Sequence, residues 1–330
     1  MSVNSFTFYR TFLPKLSDLT DPIVLSFDNT SFLKTYMNKL NLIPYNFIHS
    51  GNFYSRPYTQ DPKLRTKERV LMLQERISND KTQGLMTLNT PVSSSLTTPY
   101  WLQSEEKRIK ALNESFNAAL WAKGTAKTPG LLYAGYEVGT FEDARYIFDK
   151  SLKADLTRLS AGFGLFTRFI KYRSLDRLKQ FEVLAAFNTV LDEFDDAKFH
   201  ASGGSSMNVL ELLAYSNVAS ADGSSAVLSG LAYGSVINKN GKTERVHRMQ
   251  QWKCSCEFCT SYARPLDELK MSAEARVKHN IYALRDSESN INQALRDNTI
   301  EELTQNRLRT YNSNDLWKCY EIIKRKRARA

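Results

Sequence analysis

Short apolar runs recur through the first two thirds of the chain, and most are separated by amphipathic stretches long enough for a helix. Ile23 to Phe27, Tyr45 to His49, Gly84 to Asn89, Gly130 to Tyr136, Leu159 to Phe166, Lys198 to Ser202 and Val218 to Asp222 read as strands. Between them, Val70, Leu73 and Ile77 fall on one helical face, as do Ile109, Leu112, Phe116 and Leu120, then Phe141, Ala144, Ile147 and Phe148. Leu175, Leu178, Leu184 and Leu191 extend the pattern. Repeated strand and helix units imply a parallel sheet, and this many favour closure into a (β/α)8 TIM barrel over an open doubly wound sheet. The 330 residues hold one barrel of roughly 250 residues plus additions. No Gly-x-Gly-x-x-Gly turn follows the first of these strands, which argues against a dinucleotide-binding fold.

After about residue 235 the character changes. Asn238 to Lys242 looks like a hairpin turn, a cysteine cluster follows, and charged helical segments run onward. The expected organisation is an α/β barrel core over 1–235 and a zinc-binding, helical C-terminal subdomain over 236–330. The latter ends in a basic tail, Lys324, Arg325, Lys326, Arg327 and Arg329, placed to contact phosphates or simply frayed and solvated.

The formal charge is +10, from 45 Lys and Arg against 35 Asp and Glu, which favours an anionic partner; nucleic acid is the commonest large one. With 42% hydrophobic and 12% aromatic residues the chain can bury a sizeable core. It has no apolar stretch long enough for a membrane span and no signal-peptide pattern, so the expected location is the cytoplasm.

Three of the four cysteines, Cys254, Cys256 and Cys259, sit together, an arrangement poor for disulfides and good for a metal. With His279 they complete a tetrahedral Cys3His set, which leaves no open position for water and therefore marks a structural zinc. His247 is a weaker rival ligand, and Cys319 stands alone as a reduced, inert thiol. A zinc deaminase would need an open coordination site with His-x-Glu and Pro-Cys-x-x-Cys, and neither motif is present.

The spacing Cys-x-Cys-x-x-Cys, followed by His279-Asn280-Ile281, resembles the zinc signature of the tRNA-guanine transglycosylase superfamily. Upstream, Val218-Ala-Ser-Ala-Asp222-Gly-Ser-Ser-Ala226 with Leu231-Ala-Tyr233 resembles the segment that carries the family's nucleophilic aspartate. The resemblance implies a (β/α)8 barrel bearing a zinc site, with Asp222 as nucleophile and a dimer formed through the zinc region. Asp222 also ends the last predicted strand, where catalytic groups of such barrels lie. Lys198-Phe-His200-Ala-Ser-Gly203 is similar to the preceding family strand, and Gly162 to Gly164 to the glycine segment lining the base pocket. Gly135 is assigned to the same pocket. Gly203, Gly204 and Ser205 also form a plausible phosphate cradle or an ordinary tight turn.

Two positions depart from the family pattern. Ile48-His49-Ser50-Gly51-Asn52-Phe53 corresponds to the segment carrying a second aspartate, with His49 in its place as acid or base beside Ser50 and Gly51. Asn89 stands where a further aspartate recognises the base. The family's Pro-Thr-Arg run and additional RNA-binding domains are absent, so the chain looks most like the phage and genomic-island branch, whose members place 7-deazaguanines in DNA. The implied activity exchanges guanine in DNA for a free 7-deazaguanine base such as 7-cyano-7-deazaguanine; the alternatives are the same chemistry on tRNA and a nucleic-acid-binding homologue that has lost catalysis. Phe53, Tyr54 and Tyr136 are candidates to stack on a flipped base.

Overall fold

The structure is a computed structural model that describes residues 5–11, 23–25, 46–50, 66–92, 99–162, 173–191, 193–194, 196–203, 209–223, 225–238 and 240–327. Strands β1 (Thr7–Thr11), β2 (Ile23–Leu25), β3 (Asn46–Ile48), β4 (Thr82–Met86), β5 (Leu132–Tyr136), β6 (Arg158–Gly162), β7 (Lys198–Ser202) and β8 (Ser220–Gly223) are parallel and pair in chain order. The six from β3 to β8 make a continuous curled sheet of an α/β fold. The short β1 and β2 lie between its two edges: β2 pairs with β3, and β1 with β2 and, from Thr7↔Ser220 to Arg10↔Gly223, with β8.

β7 has the expected bounds. β5 starts later than expected because Pro129–Leu131 winds into a 3₁₀ turn. β4 lies towards the N-terminus of its expected range, anchored by Thr82, whose hydroxyl donates to Asn46 Oδ1 at 2.8 Å. β1 has no counterpart among the expected strands. Its Thr-Phe-Tyr-Arg-Thr is too polar to read as an apolar run, and distant partners fix its place.

Helices α1 (Lys67–Ile77), α2 (Glu105–Thr125), α3 (Phe141–Lys153), α4 (Arg173–Leu191), α5 (Leu210–Tyr215) and α6 (Ser225–Leu231) follow strands β3 to β8, with α1 between β3 and β4. The apolar spacing buries Val70 and Ile77 on α1, Leu112 and Phe116 on α2, Ala144, Ile147 and Phe148 on α3, and Leu184 and Leu191 on α4. Leu120 and Leu175 remain exposed at the rims of their helical faces. Thr140 caps α3 by accepting the Asp143 amide at 3.2 Å, while Glu142 and Asp143 in the first turn and Lys150 and Lys153 in the last complement the helix dipole.

Strand alternation divides the sheet into two faces. Ala134, Tyr136, Leu159, Ala161, Phe199, Ala201 and Ala221 point to the helices and pack with Phe148 and Phe187 in the main core. Phe47, Met86 and Tyr133 form a separate cluster on the concave face, beside His200. Burying each large apolar side chain is worth roughly 1.5–3 kcal/mol, so this partition determines which residues of each strand are free for chemistry.

The rest of the chain forms a hairpin, β9 (Ser235–Ile237) and β10 (Thr243–Arg245), then α7 (Glu257–Thr260), α8 (Pro265–Met271), α9 (Ala273–Arg296), α10 (Ile300–Tyr311) and α11 (Asn314–Arg327). The expected turn closes the hairpin: the Asn238 amide donates to the Lys242 carbonyl at 2.8 Å, and Gly241 takes a φ of +78° that a side chain would strain. Leu316, Cys319, Tyr320 and Ile323 of α11 join the main core with α4, and Tyr320 stacks on Tyr215. The basic segment is helical through Arg327; Lys324 pairs with Glu301 at 3.2 Å and Lys326 lies over the Phe141 ring. Asn292 of α9 reaches back to the start of β1, accepting the Phe6 amide at 2.7 Å and donating to the Phe6 carbonyl at 2.9 Å. Among the described residues no helix is long and apolar enough to cross a membrane.

Candidate functional site

The concave face carries a polar cluster on β7 and β8 and just beyond the C-terminal end of β3. Ser220 and Asp222 share one side of β8, and register places His200 of β7 opposite Ser220. His49 follows the last residue of β3. Gln74 of α1 steadies that end from below, its buried side-chain amide donating to the Ile48 carbonyl at 3.1 Å and the Met86 carbonyl at 2.7 Å.

Asp222 is 5% exposed and held through both oxygens. The Gly203 amide donates to Oδ1 at 2.8 Å, and His200 Nε2 lies 2.9 Å from Oδ2. His49 Nε2 approaches the same Oδ2 to 2.7 Å, yet lies outside the angular range of a hydrogen bond. Burial alone would raise the carboxyl pKa; the opposing field of His49 and the hydrogen bond to His200 outweigh it and hold Asp222 well below the usual carboxylate range. The side chain is therefore an oriented carboxylate at neutral pH.

His200 is completely buried, stacked on Phe47 with ring centroids 4.0 Å apart. Burial lowers its pKa, against the pull of Asp222, and keeps it neutral. Donation from Nε2 to the carboxylate then leaves Nδ1 to accept from the Ser220 hydroxyl, 2.8 Å away. The sequence reading included His200 only as part of a strand. A histidine at an inward position of a buried strand, level with the strand that carries the nucleophile candidate, was the available signal.

The other expected site residues are placed unequally. Ser50 is buried, and its hydroxyl donates to Asn89 Oδ1 at 3.4 Å, so these two come together beyond β3 and β4. Gly135 lies on the concave side of β5, where its amide donates to Thr87 Oγ1 and an added Cβ would sit 2.9 Å from Met86 Cγ; close strand packing accounts for the glycine. Gly162 ends β6 opposite Ser202. Gly203 has a φ of +77° at the turn that follows β7, and its amide donates to Asp222 Oδ1, as the tight-turn alternative allows. Tyr136 is also corrected: its strand parity directs it to the helices, and at 2% exposure with its hydroxyl 2.6 Å from Ser151 Oγ it is core. Gly51, Phe53, Tyr54, Gly164, Gly204 and Ser205 lie outside the described residues.

A second cluster lies where the hairpin meets α9. Cys254, Cys256, Cys259 and His279 place their ligand atoms within 4.8 Å of one another, a set that could hold a metal ion. His279 Nδ1 lies 3.4 Å from both Cys256 Sγ and Cys259 Sγ. Sulfur and nitrogen ligands at tetrahedral angles on one zinc ion are separated by about 3.6 Å, so the donor set fits such an ion. His279 Nε2 donates to the Ile237 carbonyl at 2.8 Å, which leaves Nδ1 as the ligating nitrogen, and the Trp252 indole donates to Cys259 Sγ at 3.3 Å. Burial works against protonation of His279, yet hydrogen bonds with Cys254, Cys256 and the Ile237 carbonyl push its pKa up to about 9. His247 is exposed and outside this group.

Asn280, next in sequence, explains the remainder of the His-Asn-apolar pattern. Completely buried, it accepts the Ile237 amide at 2.7 Å and donates to the Ala226 carbonyl at 2.9 Å and the Ser235 carbonyl at 3.2 Å, tying the hairpin and α6 to α9. A cleft of about 690 Å³ opens beside the cysteines, lined in part by Trp252, Lys253, Cys254, Asp286, Asn290 and Arg307; none of the residues around Asp222 lines it. Comparison with protein-family models and with curated proteins finds no match to this chain.

Proposed function

We propose that the chain is a guanine transglycosylase with a (β/α)8 barrel and a structural zinc, exchanging guanine in DNA for a free 7-deazaguanine base through a covalent Asp222 glycosyl intermediate. The observation that carries this reading is the convergence of an ionised, doubly oriented Asp222 with His49 at the ends of β8 and β3. It brings together the two residues that the sequence resemblance assigns to nucleophile and proton transfer, although they stand far apart in the chain.

Asp222 attacks the sugar C1′ as the bond to guanine N9 breaks, and the departing base takes a proton from His49. The incoming base gives its N9 proton to His49 and attacks C1′, releasing the carboxylate. Two displacements retain the configuration of the sugar. The Gly203 amide and His200 hold the carboxylate for both steps and stabilise it as the leaving group of the second. Cys254, Cys256, Cys259 and His279 would hold zinc with all four positions taken by protein, so the ion would supply structure, fastening the cysteine segment to α9. The target guanine has to leave the base stack, at a cost of a few kcal/mol, and the net charge of +10 provides sequence-independent attraction to phosphates.

The test is incorporation of radiolabelled guanine or 7-cyano-7-deazaguanine into DNA and tRNA, with wild type and Asp222→Ala in parallel. Incorporation into DNA, lost in the variant, is expected. Incorporation into tRNA alone would install the tRNA enzyme instead, and nucleic-acid binding without exchange would leave a non-catalytic homologue.

A further inference from the structure

We propose that His49, His200 and Asp222 also form a divalent-metal site, separate from the Cys3His group, with two imidazole nitrogens and one carboxylate oxygen as ligands. Nε2 of both histidines converges on a single oxygen, Asp222 Oδ2, at 2.7 and 2.9 Å. Cis ligands of an ion bound at about 2.1 Å are separated by about 3.0 Å, so these two edges match a metal's coordination sphere, and all three ligand atoms lie within 4.8 Å of one another.

The orientation of His49 adds an independent argument. Its Nε2 is shielded from solvent and makes no directed hydrogen bond, despite the short approach to Oδ2. A ring nitrogen directed beside a carboxylate oxygen rather than at it is poorly placed as a donor and, once deprotonated, well placed as a ligand. The surroundings supply the outer contacts that such ligands use. Gly203 holds Oδ1 through its amide, leaving Oδ2 for the ion. Ser220 sits 2.8 Å from His200 Nδ1, and its hydroxyl can accept the proton there once Nε2 carries the metal.

Two histidines and one carboxylate favour a first-row divalent ion, such as Fe2+, Mn2+, Co2+ or Zn2+, with open positions for water or substrate. His200 and Asp222 lie within strands β7 and β8 and His49 directly follows β3, which fixes their spacing more firmly than long loops would. An ion on Oδ2 withdraws the carboxylate from attack on a sugar, so metal binding and glycosyl transfer exclude each other at these side chains. The inference itself does not depend on glycosyl transfer.

The experiment is a Co2+ titration of full-length protein loaded with a single equivalent of zinc for the cysteine group and dialysed free of excess, followed by equilibrium dialysis and visible absorption. The expected result is one equivalent of Co2+ bound with weak d–d bands and no intense sulfur charge-transfer absorption, the latter marking any Co2+ that enters the cysteine group. His49→Gln, Asp222→Asn and His200→Gln, each checked for native circular dichroism, should weaken this equivalent at least tenfold, the smallest loss expected even for an outer contact. Failure to bind a sulfur-free equivalent at millimolar Co2+ would overturn the proposal. So would binding that persists unchanged in both His49→Gln and Asp222→Asn. Neither outcome depends on whether the protein exchanges bases.

Discussion

Replacing Asn280 with leucine keeps the approximate size of a completely buried side chain and removes all three of its hydrogen bonds. Each is worth about 1 kcal/mol net, so the minimum expected loss is about 3 kcal/mol. The Ile237 amide and the Ala226 and Ser235 carbonyls are then left without this partner in a dry environment, where each orphaned group costs roughly 1–3 kcal/mol; partial relaxation keeps the total near 3–6 kcal/mol. The effect extends to the metal group, because Ile237 gives its amide to Asn280 and its carbonyl to His279 Nε2. A loosened Ile237 no longer fixes the His279 ring, and metal affinity should drop about 10- to 100-fold, the usual cost of losing an outer-shell contact. Urea unfolding of the metal-loaded protein, with chelator competition for affinity, measures both quantities. A stability within 0.5 kcal/mol of wild type together with unchanged affinity would refute the account of this asparagine.

Thiol labelling offers a second check. Burial pushes Cys319 up to about 12, so at pH 8 it should resist a maleimide in the folded protein, while chelation exposes Cys254, Cys256 and Cys259 to reagent; labelling of Cys319 before unfolding would contradict its placement. Gly84→Ala drives a Cβ into the Phe47 ring and to 2.9 Å from Tyr133, an overpacking expected to cost about 1–3 kcal/mol in thermal unfolding and to disturb the stack on His200; a wild-type midpoint would argue against this packing. The lowered pKa of His200 means that the unfolded chain takes up its proton first as pH falls. Stability is therefore full above about 6.5 and declines below it, by up to about 1.4 kcal/mol per pH unit. The depressed Asp222 contributes above about 3.9 and loses its contribution only at lower pH, so the two windows are separate. Urea midpoints at pH 7.5, 6 and 5 that decline equally in wild type and His200→Gln would count against a buried neutral histidine.

The parallel sheet was legible because its strands β2 to β8 are short apolar runs punctuated by helical spacing, a signal carried by each segment alone. β1 was not, since Thr-Phe-Tyr-Arg-Thr becomes a strand through pairing with β8 and a clamp from Asn292, contacts that no local pattern encodes. The same divide runs through the sites. The cysteine cluster lies within one short segment and its histidine within the next long helix, so residue type and spacing revealed the set before geometry did. His49 and Asp222 were chosen through resemblance, and their meeting depends on how β3 and β8 curl towards each other. His200 was overlooked because its importance comes from register: it faces Ser220 and, through Oδ2, Asp222, neither of which is near it in the chain. Tyr136 failed as a stacking candidate for the complementary reason that parity along β5, a property of the folded sheet, turned it to the helices.

The clamp on Phe6 also has a consequence for biosynthesis. Asn292 lies 286 residues after the backbone group it holds, and β8 is nearly as distant. At about 5–20 residues per second, a ribosome takes on the order of 15–60 s to produce the second partner after the first. Throughout that interval the backbone groups of Phe6 wait for Asn292, and until β8 is made the edge of β1 that faces it is open to mispairing with neighbouring nascent chains. The seam between β1 and β8 is therefore the part of the sheet where crowded polysomes and delayed translation would do the most harm.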